Sequence, residues 1–288
     1  VFGLWYGKAP GVDRSGDAMR HANMAGSSAK GGVVMAMGDD HTGESSSILH
    51  QSDWAMVDAH IPVVSPAGVQ EILDYGHYAF ELSRFSGLWV GLKTMKDTIE
   101  VTAVVDAHIH RQVFQYPEIR KPDDGLNIRL VDTAAEQEAR LLQYKVQAAE
   151  AFARANKIDR CVHSRADAKI GFVAAGKNWL DLVHALSLLN IDEAEAERLG
   201  ITTYKVAQTW PLDKLSLREW AEGLDLIVVV EEKRKLIEVQ IKEALFDDSR
   251  PWRVYGGTKG LSGERLFPIE GALDPVSYTH LRAHETVD

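Results

Sequence analysis

Between residues 170 and 256, four short runs rich in β-branched residues alternate with three amphipathic segments, and this alternation restricts the fold more than any other feature. Strands are predicted at 170–175, 201–207, 225–231 and 253–256, with helices at 179–189, 216–223 and 233–245. Strands separated by helices cannot pair as hairpins; they need crossovers, and crossovers give a parallel sheet. Ser216 and Glu219 stand at capping-box spacing, where each side chain satisfies an N–H at a helix start. A Rossmann-like, doubly wound α/β domain is predicted.

The first hundred residues carry the same alternation. An apolar run at 33–38 precedes a polar loop at 39–44 and a helical segment at 48–59, and a strand at 61–65 follows. Ser65-Pro66 reads as N-cap and first helical position, since proline loses nothing where an N–H is already orphaned. That predicts a helix over 66–85, stopped by Gly87, and a further strand at 88–94. Residues 106–133, with Pro117, Pro122 and Asp123-Asp124-Gly125, predict a connection between domains. A helix over 134–156 places Leu142, Val146, Ala149 and Ala153 on one stripe.

A chain of 288 residues with 45% hydrophobic content can bury two cores, so two domains are expected. The formal charge of -10 argues against a nucleic-acid partner, which needs a clustered basic face. No apolar run reaches the length of a membrane span. Cys161 is the sole cysteine, which excludes an internal disulfide, a cysteine-rich zinc site and the thiolates of an iron–sulfur cluster within this chain, and a cytoplasmic location is expected. Val1 falls in the middle of an apolar pattern, so an internal fragment is expected. Val276–Asp288 breaks from the preceding pattern and resembles translated vector or adapter sequence; it is treated as non-native and left out of the functional reading.

Five segments invite chemistry. Gly171–Asn178 approaches a phosphate-binding loop, but Asn178 stands where a Mg²⁺-binding hydroxyl belongs and the loop positions are themselves strand-like. Asp106, His108 and His110 resemble the His-x-His opening of metal-dependent amidohydrolase-like hydrolases, the alternative function; the reading lacks the later ligands such a site requires. Asp39, Asp40 and His41 follow the carboxyl end of a predicted parallel strand, where open α/β sheets place ligands; the competing reading is that an Asp simply caps the next helix. The turn formers of Gly7–Arg14 predict a loop that brings Lys8 or Arg14 to an anionic ligand. Glu231-Glu232-Lys233 either lines a crevice or serves the dipole of the next helix.

Taken together, GLWYGKAPGVDRSGD (3–17), GDDHTGESSS (38–47), HQSDWA (50–55), IPVVSPAGVQEILDYG (61–76), GLNIRLVDT (125–133), QEARLLQYK (137–145), AAGKNWLD (174–181), YKVAQTWPL (204–212) and VVEEKR (229–234) resemble the indolepyruvate ferredoxin oxidoreductases in the right order. The resemblance covers about residues 1–270. It departs at Ala9, where glycine is expected, at Lys30, where histidine is common, and at 106–110.

The resemblance implies a partial thiamine-diphosphate-binding domain of the pyrimidine type at 1–105, a linker and connecting helix at 106–159, a Rossmann-like transketolase C-terminal-like domain at 160–265, and a tail at 266–288. It implies oxidative decarboxylation of 2-oxo acids, arylpyruvates such as indolepyruvate, with thiamine diphosphate and Mg, coenzyme A, and [4Fe-4S] clusters passing electrons to ferredoxin. Catalytic roles fall by analogy on Asp39, Asp40 and His41, with Lys8, Asp13, Arg14, Ser45 and Ser46 close to substrate or cofactor. The activating glutamate, the Gly-Asp-Gly metal site and the clusters are expected outside this chain, among the remaining domains of a homo-oligomeric enzyme. The fragment alone is expected to be inactive.

Overall fold

The computed structural model describes residues 1–288 except 45–47, 109, 164–166, 249–251, 258, 259, 261, 262 and 276–288. The chain divides into two compact units, residues 1–158 with 208–213, and residues 159–207 with 214–288. In chain order the first unit runs β1 (Phe2–Lys8), α1 (Ala9–Arg14), α2 (Gly16–Ala25), β2 (Gly32–Asp39), α3 (Asp53–Asp58), β3 (Val63–Val64), α4 (Val69–Ser86), β4 (Val90–Met95), α5 (Lys96–Ile99), α6 (Ala134–Arg140), a π-helical turn Leu141–Lys145, and α7 (Val146–Ala155). The second opens with β5 (Arg160–His163), β6 (Ile170–Ala175), α8 (Gly176–Leu188), α9 (Glu193–Arg198) and β7 (Ile201–Val206). β8 (Gln208–Trp210) belongs to the first unit; α10 (Lys214–Ala221), β9 (Leu226–Val230), α11 (Ile237–Leu245) and β10 (Arg253–Tyr255) complete the second.

The first sheet has the order β1-β2-β4-β3-β8, parallel except for β8. Its register sets Lys8 opposite Gly38 and Asp39 opposite Met95, so β1, β2 and β4 end together at one carboxyl edge. Met35, Met37, Met56, Ile61 and Val63 are buried together beneath that edge. The second sheet, β10-β9-β6-β7-β5, is parallel except for β5. All six residues of β7 are buried, as expected for an interior strand covered on both faces.

Several local expectations change. α4 begins at Val69 rather than Pro66, because the Glu71 carboxylate reaches back to the Ala67 N–H at 2.8 Å and Gly68 becomes the N-cap. Gly87 ends it as expected, at φ 73°, in the left-handed region glycine tolerates. Gly7–Arg14 is not a loop: Pro10 lies in the first turn of α1, where its missing N–H costs nothing. Ser216 lies inside α10, and the capping box forms at Thr133–Glu136 instead. Residues 101–108, which lead into the Asp106–His110 stretch, are irregular, and Val104 is fully exposed.

Residues 106–158 lie in the first unit. Asn127 donates to the Arg84 carbonyl at the end of α4, and Tyr116 donates to Glu81. Arg140 is clamped by Asp124, Asp132 and the Gly125 carbonyl. On the π-helical turn, the Lys145 ammonium is 1% exposed and points at the carbonyls of Met24 and Gly87, 3.4 and 3.5 Å away, where α2 and α4 end. Carbonyls at helix ends favour a cation. Burial, aided by the nearby Arg140, nevertheless pushes this amine down to about 8.

The native state therefore gives up the Lys145 proton near pH 8, the unfolded chain near 10.5, and stability rises with pH between those values. The two carbonyl contacts are long, so little is lost with them. Lys145→Met is expected to raise the unfolding free energy at pH 7 by about 1–3 kcal/mol and to remove most of the rise between pH 8 and 10.5, as read by urea denaturation across that range.

Candidate active site

The carboxyl edge of the first sheet gathers a buried ionic cluster. Asp39 is the last residue of β2 and is 3% exposed. Its Oδ1 accepts from Ser52 Oγ at 2.5 Å and its Oδ2 from the Ser52 N–H at 2.9 Å, so it fixes the residue that precedes α3. Lys93 on β4 donates to Asp53 Oδ2 at 2.6 Å and stands 3.6 Å from Asp39 Oδ2. His41 Nε2 lies 3.8 Å from the same oxygen, within ion-pair range but too far for a direct hydrogen bond. Burial works to raise the Asp39 carboxyl, but His41, Lys93 and the two Ser52 donors outweigh it and hold it below the usual carboxylate range.

Asp40 shapes the loop that follows. Its Oδ1 accepts from the N–H groups of Gly43 at 2.8 Å and Glu44 at 3.1 Å, the side-chain turn for which Asp is suited. Asp39 and Asp40 share a cleft of about 330 Å³ with Lys8, Glu44, Lys96 and Glu100. Lys96 forms an ion pair with Glu44 across it.

Lys8, Asp39 and Asp40 are thus brought together, whereas His41, 3% exposed, lies behind Asp39 and outside the cleft lining. Asp13 and Arg14 sit on α1, both exposed; Asp13 Oδ2 lies 3.0 Å from His50 Nε2, and neither lines the cleft. Ser45 and Ser46 lie outside the described residues. The partners that sequence reasoning missed are Lys93, Asp53 and Ser52. A lysine within a largely apolar, buried strand, Val90–Met95, is the available signal, because a buried ammonium calls for a buried polar or acidic partner.

The hydrolase alternative fails on geometry. Asp106, His108 and His110 border a separate cleft of about 430 Å³ with His77, where Arg111 forms ion pairs with Asp74 and with Asp106. The guanidinium thus already engages the Asp106 carboxylate, and among the described residues no group of three or more His, Cys, Asp or Glu side chains is arranged to hold a metal. In the second unit Lys177 follows the bend at Gly176, φ 52°, and bonds Asp181 and the Leu273 carbonyl rather than facing an open phosphate loop. Glu231 accepts from the N–H groups of Leu236, Ile237 and Glu238 at 3.0, 2.7 and 2.9 Å, which makes it the cap of α11. Among the described residues no helix is long and apolar enough to cross a membrane.

By fold, the chain matches 2-oxoglutarate:ferredoxin oxidoreductase from Magnetococcus marinus, solved with 2-oxoglutarate, coenzyme A and succinyl-CoA bound, at a TM-score of 0.58 and 12% identity, over 96% of this chain and 52% of that one. It also matches an inactive β4 tetramer of a split-gene transketolase at a TM-score of 0.52 and 14% identity, over 97% of this chain and 73% of that one. The class is therefore that of two-unit α/β proteins, each unit built on a mostly parallel sheet, whose fold these two enzymes share. Within it, residues 160–282 match the indolepyruvate oxidoreductase domain. Indolepyruvate oxidoreductase subunit IorA of Pyrococcus abyssi is 27% identical over 78% of this chain, and that of Thermococcus kodakarensis is 22% identical over 93%. The chain is a relative of the indolepyruvate oxidoreductases and spans about a third of the Pyrococcus abyssi subunit, 34% of its length.

Removing Asp39 takes the second carboxylate from the buried Lys93, which keeps Asp53, and leaves the Ser52 N–H and hydroxyl without their acceptor. Asp39→Ala is expected to lower stability at pH 7 by about 3 kcal/mol. Because the native carboxyl is depressed, its contribution is complete above the ordinary value of about 4 and is lost as pH falls through the native one. The wild-type and Asp39→Ala unfolding curves should therefore converge in acid, as followed by circular dichroism.

Proposed function

We propose that this chain is a piece of an enzyme that oxidatively decarboxylates 2-oxo acids, and that its first unit supplies one wall of the active site. The observation that carries this reading is the meeting of Lys8, Asp39 and Asp40 in one cleft at the carboxyl edge of a parallel sheet, in a chain related to indolepyruvate oxidoreductases. On this proposal residues 1–105 are part of the pyrimidine-type domain, 160–265 are the transketolase C-terminal-like domain, and 106–159 connect them in sequence. The substrate is an arylpyruvate such as indolepyruvate. With coenzyme A it would give CO₂, the acyl-coenzyme A thioester, one proton and two electrons, and iron–sulfur clusters held elsewhere in the enzyme would supply the route for those electrons to ferredoxin.

On this proposal the ligands of Mg-diphosphate lie outside this chain; Asp39, Asp40 and Glu44 of the cleft already engage Lys93, Ser52, Lys96 and the loop backbone. A single cysteine likewise cannot hold a cluster. Thiamine diphosphate, its metal and the clusters are assigned to the remainder of the enzyme. The chain's own contribution is proton handling and charge. Asp40 faces the cleft and exchanges a proton with the substrate as CO₂ departs; Lys8 attracts the substrate carboxylate; Asp39 and His41 act from behind as positioning groups.

Asp40→Asn in the full-length enzyme separates chemistry from folding, because an amide oxygen still accepts from Gly43 and Glu44 while the proton acceptor is lost. Turnover of indolepyruvate is expected to fall about 100-fold or more with the melting temperature retained; near-wild-type turnover refutes the role. The isolated 288-residue chain is expected to give no thiamine diphosphate binding by calorimetry, and measurable binding would overturn the assignment of that cofactor to the remainder.

A further inference from the structure

Open α/β sheets hold ligands outside the carboxyl ends of two neighbouring strands whose crossovers leave toward opposite sides. In the second unit those strands are β6 and β9, since β6 leads through α8 to β7 on one side and β9 through α11 to β10 on the other. The residues just beyond these strands converge on a single residue. Lys177 Nζ donates to the Leu273 carbonyl at 2.6 Å, and Glu232 Oε2 accepts from the Leu273 N–H at 2.7 Å. The leucine itself is 2% exposed.

One backbone donor and one backbone acceptor of the same residue are thus each held by a charged side chain, while the side chain between them is buried. Such charge-assisted bonds are the stronger kind. This is how a receptor grips a residue of an extended peptide, with main-chain bonds for affinity and a pocket for the side chain. The electrostatics disfavour an anion here. Asp181 lies 2.6 Å from the Lys177 ammonium, Glu232 is already on the crevice, and the first N–H groups of α11 are filled by Glu231. Asp181 pairs with the Lys177 ammonium and Glu232 stands on the other side of the residue, an arrangement that suits a neutral peptide unit better than a phosphate.

We propose that this crevice is a peptide-binding slot selective for a segment that presents a leucine, and that residues 272–274, entered from the bend at Gly271, occupy it as a ligand carried by the chain itself. The slot is independent of the chemistry assigned to the first unit. Leu273→Asp in the full chain expels the built-in ligand and opens the slot to a competitor, a fluorescently labelled peptide of residues 270–275. By anisotropy the peptide is expected to bind Leu273→Asp at least tenfold more tightly than the wild-type chain, and adding Lys177→Ala or Glu232→Ala should abolish that gain. Equal binding by the two chains overturns the proposal, as does binding of inorganic phosphate or ATP by Leu273→Asp in place of the peptide. If Leu273→Asp melts early, hydrogen exchange at the Leu273 amide decides: Glu232→Ala should accelerate it at least tenfold relative to wild type, and an unchanged rate refutes the slot.

Discussion

A lysine buried between two aspartates organises the first unit. Lys93 enters from β4, Asp39 ends β2 and Asp53 opens α3, so one ammonium fastens three elements that are far apart in sequence. Removing three charges from water costs several kcal/mol per ion, and their attraction repays this only where geometry and added hydrogen bonds are good. Here they are: Lys93 lies 2.6 Å from Asp53, and both oxygens of Asp39 are satisfied by Ser52. The net gain in stability from such a cluster is small, but its specificity is large, because moving Ser52 or Asp53 away would leave buried charges short of their partners.

That constraint sets what the site can do. With Asp39 fully committed and His41 behind it, Asp40 is the one of these three that can meet a ligand in the cleft beside Lys8, and its own Oδ1 holds the turn. The second unit uses its acids in the same manner. Glu231 fills the start of α11 and Glu232 grips a backbone amide, so carboxylates that resemble a charged crevice in the sequence are consumed by the chain's own N–H groups. At both carboxyl edges, acids satisfy backbone first and leave few groups for a ligand.

β2, β3, β4, β6, β7, β9 and β10 were readable because β-branched and apolar residues mark them, and parallel pairing followed from the helices between them, whereas β1, β5 and β8 were not predicted. Gly87 was readable because a left-handed helix stop has one favoured residue. Helix starts were harder. Ser65-Pro66 and Ser216–Glu219 both satisfy the local rule, yet Glu71 reaches back to Ala67 in one case and α10 begins earlier in the other. Local spacing permits a cap; competition from a neighbouring carboxylate decides it. Asp39, Asp40 and His41 could be singled out by position at a strand end, but Lys93 lies 54 positions beyond Asp39 and no local pattern connects them. The same distance effect hid the fastening of residues 106–158 to the first unit, which looked like a connection because prolines and glycine interrupt it.

Lys145 shows why that fastening is of a different kind. Lys93 is matched by carboxylates at contact distance, whereas Lys145 is hydrogen-bonded to the ends of two helices, whose carbonyls offer partial charges at 3.4 and 3.5 Å, with Asp132 acting on it through charge and opposed by Arg140. Partial charges at such distances do not replace the lost hydration of an ammonium, so its proton is held weakly, whereas the acids around Lys93 are at hydrogen-bond or ion-pair distance. The space leaves little alternative: a Cβ on Gly26 would lie 2.7 Å from Lys145 Nζ and 2.8 Å from the Gly87 carbonyl. Gly26, at φ 104°, is thus required both by its backbone and by the amine beside it. The π-helical turn that ends at Lys145 marks the point where the long helix yields its regular spacing to place that amine over the two helix ends.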